Sequence, residues 1–438
     1  MILEDYININ AEKYPQKVAI ICNKENITYS QLLDKVLSRV SRFTEEGISK
    51  GDIVPLVSSR SIEYLVDYFA IHKIGAVAVP LEEGIPDELF NCITDRLSKY
   101  TVPDGTADIL FTTGTTGKSK GVMISHKAII ADAENLIDSQ LFCHDTVFII
   151  NGPLNHVGCL TKVFPLILLG ATIYLIPGMK NAEDFFSALN YPSNKMATFL
   201  VPANIRILLQ FSGDRLAEYA DKIDFIETGA APMSQSDMLK LCDILPNSRL
   251  YNTYASTETG IITTYNYNDG RCISGCLGKQ MKHSKIIITE NGTIACQGDT
   301  LMSGYVGDEE MTASILRNNT IFTSDIGELD SEGMLHLKGR KDDVINVGGF
   351  KVAPTEVEDV ALSLPEVKDC ICISASHPIM GNVLKLLVVL NEGCELDKKR
   401  IALYIKGKLE PYKVPMMYEA VEVIQRTFNG KINRKFYK

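Results

Sequence analysis

The densest group of side chains that could do chemistry lies in residues 109–126, ILFTTGTTGKSKGVMISH. A predicted strand, Ile109–Phe111, leads into a segment that contains Gly114, Gly117 and Gly121. Glycines let backbone N–H groups turn around an anion. The side chains that can donate to phosphate oxygens are Thr112, Thr113, Thr115, Thr116, Ser119, Lys118 and Lys120. The segment therefore predicts a phosphate-binding loop, with a flexible polar turn as the alternative.

A Walker A loop is the obvious competitor, because Gly117, Lys118 and Ser119 match the end of its pattern. That pattern, GxxxxGK[ST], also requires a glycine five positions before the second one. The chain has Thr112 there, so the sequence argues against a P-loop NTPase.

The elements that must position this loop alternate between helix and strand. Apolar spacing predicts helices over 31–43 and 65–74. Short apolar runs predict buried strands over 76–80, 146–150, 172–176, 196–201 and 222–227. Such alternation predicts an α/β fold with largely parallel sheets. From about Ser284 onward, short strand candidates separated by turns predict a small β-rich subdomain.

A charged cluster near residues 339–343 marks the sharpest boundary. We predict an N-terminal domain over 1–340 and a small mobile α+β domain over 341–438, which carries the predicted strands 370–374 and 384–390 and a helix over 399–409. Thr355 and Glu358 form a capping-box pattern that predicts the start of another helix.

Composition narrows the class of protein. The chain has 438 residues, of which 45% are hydrophobic, and a net charge of -10. Clustered basic residues usually mark nucleic-acid binders, so this charge argues against one. The eleven scattered cysteines indicate reduced thiols in the cytoplasm, and their spacing does not predict a zinc site. The apolar stretch 163–177 is too short and too interrupted for a membrane span and indicates buried core.

Five segments, taken in order, resemble the adenylate-forming superfamily of acyl-CoA synthetases, aryl-CoA ligases, peptide-synthetase adenylation domains and luciferases. They are residues 112–121, 225–234 (FIETGAAPMS), 250–260 (LYNTYASTETG), 322–340 and 425–435 (QRTFNGKINRK). Because the resemblance recurs over nearly the whole chain, it implies the fold and chemistry of that superfamily.

The resemblance assigns the nucleotide site. It implies that the loop binds phosphate and that Gly229, Ala230, Ala231 and Pro232 flank the adenine. It also implies roles for Tyr254 in stacking on adenine, for Thr257 at the α-phosphate and for Glu258 in holding Mg²⁺. Asp325 and Arg340 match the positions that contact the ribose.

The same resemblance implies a lid that moves. Asp342 matches the hinge, and Gly348 and Gly349 match the segment beside the pantetheine arm of the thiol acceptor. Lys431 matches the lysine that bridges carboxylate and α-phosphate during adenylation, although a solvated basic tail is the alternative. Rotation about Asp342 would then withdraw Lys431 before the thiol attacks.

The segment 151–160, NGPLNHVGCL, bears on the acid. His156 matches a position beside the acyl pocket of acid–CoA ligases, and it also counts among the catalytic candidates. The weaker pocket candidates are Val157, Thr228, Ala255 and Ile261. No aspartate of the kind that binds an α-ammonium occurs in this segment, so an amino acid is disfavoured.

The sequence thus predicts an ATP-dependent acid–CoA ligase that uses Mg²⁺ and forms an acyl-adenylate. Transfer to the phosphopantetheine of a carrier protein and an inactive nucleotide-binding sensor remain open. One departure from the superfamily stands out, since only about thirty residues separate Pro80 from Thr112. The superfamily usually has a longer insert there.

Overall fold

A computed structural model describes residues 1–112, 120–347, 350–377, 381–426 and 431–437. Its strands are β1 Val18–Cys22, β2 Glu25–Thr28, β3 Ile53–Val57, β4 Val77–Leu81, β5 Thr106–Thr112, β6 Lys120–Ser125, β7 Val147–Ile150, β8 Thr172–Leu175, β9 Met196–Phe199, β10 Ile223–Thr228, β11 Arg249–Ser256, β12 Gly260–Asn266, β13 Cys276–Gln280, β14 Ser284–Ile288, β15 Thr293–Gly298, β16 Gly304–Tyr305, β17 Leu316–Arg317, β18 Thr320–Leu329, β19 Leu335–Arg340, β20 Ile345–Val347, β21 Phe350–Val352, β22 Val367–His377, β23 Gly381–Leu390 and β24 Met417–Ala420.

The α-helices fall between these strands and confirm the predicted alternation. They are α1 Asp5–Lys13, α2 Tyr29–Glu45, α3 Ile62–Ile74, α4 Asp87–Leu97, α5 His126–Gln140, α6 Val157–Leu169, α7 Ala182–Leu189, α8 Pro202–Phe211, α9 Gly213–Ala217, α10 Gln235–Ile244, α11 Glu309–Ile315, α12 Pro354–Leu362 and α13 Lys398–Lys406. The predicted helices lie inside α2 and α3. Local sequence explains their ends, because Thr28 and Gln31 form a capping box before α2 and Gly75 ends α3 with φ of 84°.

The larger sheet carries the site. Within the described residues it has 14 strands, in the order β14-β15-β18-β19-β13-β12-β11-β10-β9-β7-β8-β1-β2, with β17 paired to β18. The neighbours from β8 to β11 are parallel, as predicted. The strands beyond Ser284 extend this sheet through the β13–β19 pair, so the predicted β-rich subdomain is hydrogen-bonded to the main sheet. Parallel strands point their carboxyl ends at one edge, where α/β proteins bind ligands.

A second sheet, β16-β6-β5-β4-β3, faces the first across a core that contains α3, α5 and α6. The stretch 163–177 is largely buried there, which confirms its interpretation as core. No helix in the described ranges is long and apolar enough to cross a membrane. In the shortened region, α4 connects β4 to β5.

The C-terminal part of the chain has its own sheet, β22-β23-β24, against which α12 and α13 pack. The predicted capping box is wrong. Helix α12 begins at Pro354 and no side chain caps it, because proline already fits the first helical position without an N–H group. Glu358 instead lies buried and accepts a hydrogen bond from Cys372 N at 2.8 Å. The division at residues 340 and 341 remains a prediction.

Candidate active site

The predicted ribose-binding residues form a connected group. Asp325 and Arg340 lie opposite each other in the β18–β19 register, and Arg340 Nε donates to Asp325 Oδ1 at 2.8 Å. Tyr254, near the end of β11, donates its hydroxyl to Asp325 Oδ2 at 2.5 Å. Burial and the Asp325 carboxylate raise the pKa of Tyr254 well above its usual value, so the phenol stays a donor. Each carboxylate oxygen has a second lone pair, so Asp325 can still accept from ribose hydroxyls.

Glu258 lies beside the base of the predicted phosphate loop. Its Oε1 accepts a hydrogen bond from Tyr305 of β16 at 2.8 Å. Tyr305 pairs with Val122 in β6, and Lys120 Nζ lies 5.2 Å from the centre of the Tyr305 ring. Glu258 and Lys120, the first residue of β6, therefore both contact Tyr305.

The phosphate loop itself joins two antiparallel strands. Thr112 and Lys120 face each other in the β5–β6 register, so the strands hold the two ends of the loop side by side. The predicted loop residues Thr113, Gly114, Thr115, Thr116, Gly117 and Lys118 lie outside the described residues. Gly348, Gly349 and the side chain of Asp342 also lie outside them; the Asp342 backbone belongs to a short 3-10 helix, Lys341–Asp343.

A tight bend follows β10 at the predicted adenine-binding segment. A Cβ atom on Gly229 would lie 3.1 Å from the carbonyl oxygen of Thr253, which is closer than side chains normally approach. Ala230 has φ of 67°, a conformation that costs energy for a residue with a side chain. Ala231 and Pro232 follow in the connection to α10, and Pro232 is exposed. The bend comes directly after the carboxyl end of β10, which fits close approach of a flat ring.

His156 caps helix α6. Its Nδ1 accepts a hydrogen bond from Gly158 N at 3.1 Å, so the proton of the neutral ring is on Nε2. Burial, assisted by the positive charge of Lys431, lowers the pKa of His156 to about 4. His156 is therefore a neutral residue whose Nε2–H is available as a donor.

Lys431 interacts electrostatically with the nucleotide side of the site. Removal of its ammonium from water and the charge of Arg340 lower its pKa, while the Asp325 and Glu258 carboxylates act in the opposite direction. The positive charge of Lys431 also helps to lower the pKa of His156. The charges that act on Lys431 therefore include those of the predicted ribose and metal residues.

An ionic anchor fixes the backbone near Lys431. The two terminal nitrogens of Arg434 donate to the two carboxylate oxygens of Glu358 on α12, at 2.9 and 2.6 Å. A two-point contact of this kind fixes orientation as well as distance. Asp343, next to the predicted hinge residue, lies 3.5 Å from Arg434.

The family models match almost the whole chain. The AMP-binding enzyme model matches residues 7–98 and 91–306, and the AMP-binding enzyme C-terminal domain model matches residues 356–431. The chain belongs to the AMP-binding enzyme family. The two pieces of the first match meet at residues 91–98, inside the stretch where the sequence lacks the usual insert.

Known relatives of this AMP-binding enzyme are CoA ligases. The indoleacetate–CoA ligase of Aromatoleum aromaticum is 25% identical, with 99% of this chain and 97% of that protein covered. The 2-succinylbenzoate–CoA ligase of Bacillus cereus is 26% identical, with 96% and 95% covered. ATP-bound MatB from Rhodopseudomonas palustris has the same fold, with a TM-score of 0.87 at 22% identity over 100% of this chain and 98% of that one. The predicted class, an AMP-forming acid–thiol ligase, is confirmed.

The predicted acid-pocket residues of the AMP-binding enzyme do not all share one surface. Val157 lines a small cavity of about 20 Å³ between α5 and α6, which has room for about one water molecule. Thr257, the candidate for the α-phosphate, lines the same cavity. Ala255 is exposed at the end of β11, whereas Ile261 is buried and donates its backbone N–H to Asp132 at 2.8 Å. Thr228 is fully buried, and its hydroxyl has no hydrogen-bond partner among the described residues.

Sequence reasoning missed a buried ion pair next to Thr228. Lys162 of α6 donates to Glu227 Oε1 at 2.7 Å, and both side chains are 1% exposed. Thr253 donates to the same oxygen at 2.8 Å, and the Lys162 ammonium lies 5.5 Å from the centre of the Phe199 ring. Phe199 in turn lies close to Gly158 and Gly229. No spacing pattern links residues 162 and 227, so only the fold brings them together.

The low pKa of His156 gives a prediction on pH. The unfolded side chain titrates near 6.5 and the folded one near 4, so the unfolded chain takes up a proton first as pH falls. The stabilising effect of neutral His156 is therefore present above about pH 6.5 and is lost as pH falls toward 4. We expect NMR titration of the His156 ring, assigned with His156→Gln, to give a value near 4 that rises in Lys431→Ala. An unchanged value in Lys431→Ala would contradict the proximity of the two side chains.

Proposed function

We propose that this chain converts a carboxylic acid, ATP and CoA to an acyl-CoA, AMP and pyrophosphate through an acyl-adenylate at the site described above. One observation supports the assignment of residues. Asp325 accepts hydrogen bonds from Tyr254 and Arg340, so three residues that the sequence assigns to adenine and ribose form one connected group. The charges of Arg340, Asp325 and Glu258 act on Lys431, and the charge of Lys431 acts on His156.

The charges at this site suit the first half-reaction. A carboxylate and the α-phosphate repel each other, so a cation between them lowers the barrier by electrostatics and orientation. Lys431 supplies that cation. Neutral His156 can donate its Nε2–H to an oxygen of the acid, and Thr257 follows β11 toward the same edge.

Glu258 fits a magnesium ion. Mg²⁺ prefers one or two carboxylate oxygens together with substrate phosphates and water. Glu258 has such a carboxylate, which accepts the hydroxyl of Tyr305 through Oε1, and Lys120 at the end of the phosphate loop lies over the ring of the same tyrosine. When bound, the ion would offset negative charge on the phosphates. Tyr305 would orient the carboxylate that holds it.

For the second half-reaction we propose CoA as the acceptor. The relatives named above are CoA ligases, and this supports CoA over a carrier protein. In this proposal the C-terminal part rotates about Asp342, Lys431 leaves the site, and the thiol reaches the acyl-adenylate along Gly348 and Gly349. Attack of the thiol sulfur on the acyl carbon forms the thioester and expels AMP.

The pairing of Asp325 gives a second prediction. Asp325→Asn should raise KM for ATP about tenfold to a hundredfold, because hydrogen bonds to charged groups contribute about 1.5–3 kcal/mol. The amide cannot accept from Tyr254, Arg340 and the ribose at once. Steady-state rates measured over a range of ATP concentrations would give this KM. Asp330→Asn is the matched control, since Asp330 bonds His336 in a turn of the same β18–β19 hairpin. Equal KM values for both variants would count against the ribose assignment.

Pyrophosphate release from Mg·ATP, measured across aliphatic, aryl and amino acids with and without CoA, tests the proposal. We expect acid-dependent release and formation of an acyl-CoA with at least one non-amino acid. Release without any thioester would instead favour a carrier protein as the acceptor. If no acid supports release, the inactive nucleotide-binding sensor becomes the better interpretation.

A further inference from the structure

A second group of ionisable side chains lies outside the active site, in the core between the two sheets. Glu4 precedes α1, His72 belongs to α3, Asp108 to β5, and His126 opens α5. Glu4 and His72 are fully buried and Asp108 is 1% exposed. None of these residues has a role in the proposed reaction.

The group is centred on His72. Its Nδ1 lies 2.9 Å from Glu4 Oε1, and its Nε2 lies 3.2 Å from Asp108 Oδ1. Tyr68 donates its hydroxyl to the other Asp108 oxygen at 2.9 Å. The His126 ring packs edge-on against His72, with 5.0 Å between the ring centres.

Two buried atoms of this group, Glu4 Oε2 and His126 Nδ1, form no hydrogen bond within the part of the chain that the structure describes. Buried polar atoms are rarely left unpaired, and each instance calls for an explanation. One donor atom from each of Glu4, His72 and His126 lies within 4.8 Å of the other two.

We propose that Glu4, His72 and His126 bind one zinc-class divalent ion. One carboxylate and two imidazoles are a donor set that Zn²⁺ accepts, with a fourth position left for water. Asp108 completes the arrangement, because histidine ligands usually donate their second N–H to a carboxylate. Tyr68 holds that carboxylate in place. The ion would join the start of α1 to α3 and α5.

The test uses the full chain, stripped with a chelator and titrated with Zn²⁺ against a chromophoric competitor. We expect one equivalent bound, a higher melting temperature with zinc, and at least tenfold weaker binding in Glu4→Gln and in His126→Gln. The matched control is His283→Gln, because His283 contacts the carboxylates of Glu134 and Asp299 at the surface. Its zinc affinity should equal that of the unmodified chain.

If a variant fails to fold, the spectrum of Co²⁺ bound to the unmodified chain still tests the proposal. Co²⁺ in the unmodified chain should give the visible bands of a nitrogen and oxygen site without thiolate charge transfer. Thiolate bands would place the metal on cysteines and overturn the proposal. Absence of stoichiometric binding, or equal binding in Glu4→Gln, would also overturn it and leave His72 as an imidazolium between two carboxylates. These readouts do not depend on ligase activity, so failure of either proposal can be recognised separately.

Discussion

Lys431→Ala is expected to lower kcat/KM for acid-dependent pyrophosphate release by about 10²–10³-fold, the usual effect of removing a group that stabilises transition-state charge. The reason is electrostatic. Lys431 interacts with the carboxylates of Glu258 and Asp325 and with the Arg340 guanidinium, where negative charge on the phosphates must be offset. Thioester formation from a supplied acyl-adenylate should remain near that of the unmodified enzyme, because in the proposed cycle the lysine acts before the thiol arrives.

Two assays separate these half-reactions: isotope exchange between pyrophosphate and ATP, and CoA consumption with synthetic acyl-adenylate. The control is Lys435→Ala, which removes an exposed lysine from the same segment. Adenylation at an undiminished rate in Lys431→Ala would show that the segment is only a solvated basic tail. Equal losses in both assays would indicate a structural effect instead.

Lys162→Met should destabilise the enzyme by about 3–5 kcal/mol, the usual result of leaving one member of a buried ion pair without its partner. Methionine resembles lysine in length, so packing changes little. Within the described ranges, Glu227 would keep the hydrogen bond from Thr253 on one oxygen, while its other oxygen already has no partner there. The carboxylate would then have to stay charged without a cation or take up a proton.

Guanidinium unfolding followed by fluorescence and circular dichroism would measure the change. Lys195→Met serves as the control, because Lys195 pairs with Asp224 at 3.2 Å but is 43% exposed, and such pairs contribute at most about 1 kcal/mol. The double variant Lys162→Met/Glu227→Gln should recover much of the loss. If Lys162→Met were as stable as Lys195→Met, the buried ion pair would contribute no more to stability than the exposed one.

Most of the fold could be predicted because its signals are local. Helical spacing and apolar runs place α2, α3 and the parallel strands from β7 to β10 within a few residues. Motifs then predict where Tyr254, Asp325 and Arg340 belong. Their hydrogen-bonded contact in the structure agrees with a shared site, since β11, β18 and β19 belong to one sheet.

What could not be predicted depends on contacts between distant residues. Lys162 belongs to an apolar stretch and Glu227 to a buried strand, and neither has a neighbour in sequence that signals an ion pair. Tyr305 reaches Glu258 only because β16 pairs with β6. The capping-box pattern failed for a related reason, since the long-range bond between Arg434 and Glu358 takes the carboxylate into the domain interior.

That bond between Arg434 and Glu358 has a consequence for the direction of the reaction. Because it fastens the segment of Lys431 to α12, the proposed rotation about Asp342 would carry the lysine away together with α12. The forward and reverse adenylation steps share one transition state, so in the proposed cycle both would lose the stabilisation that Lys431 supplies. Pyrophosphate would then regenerate ATP from the adenylate only slowly, and thiol attack would proceed in the meantime.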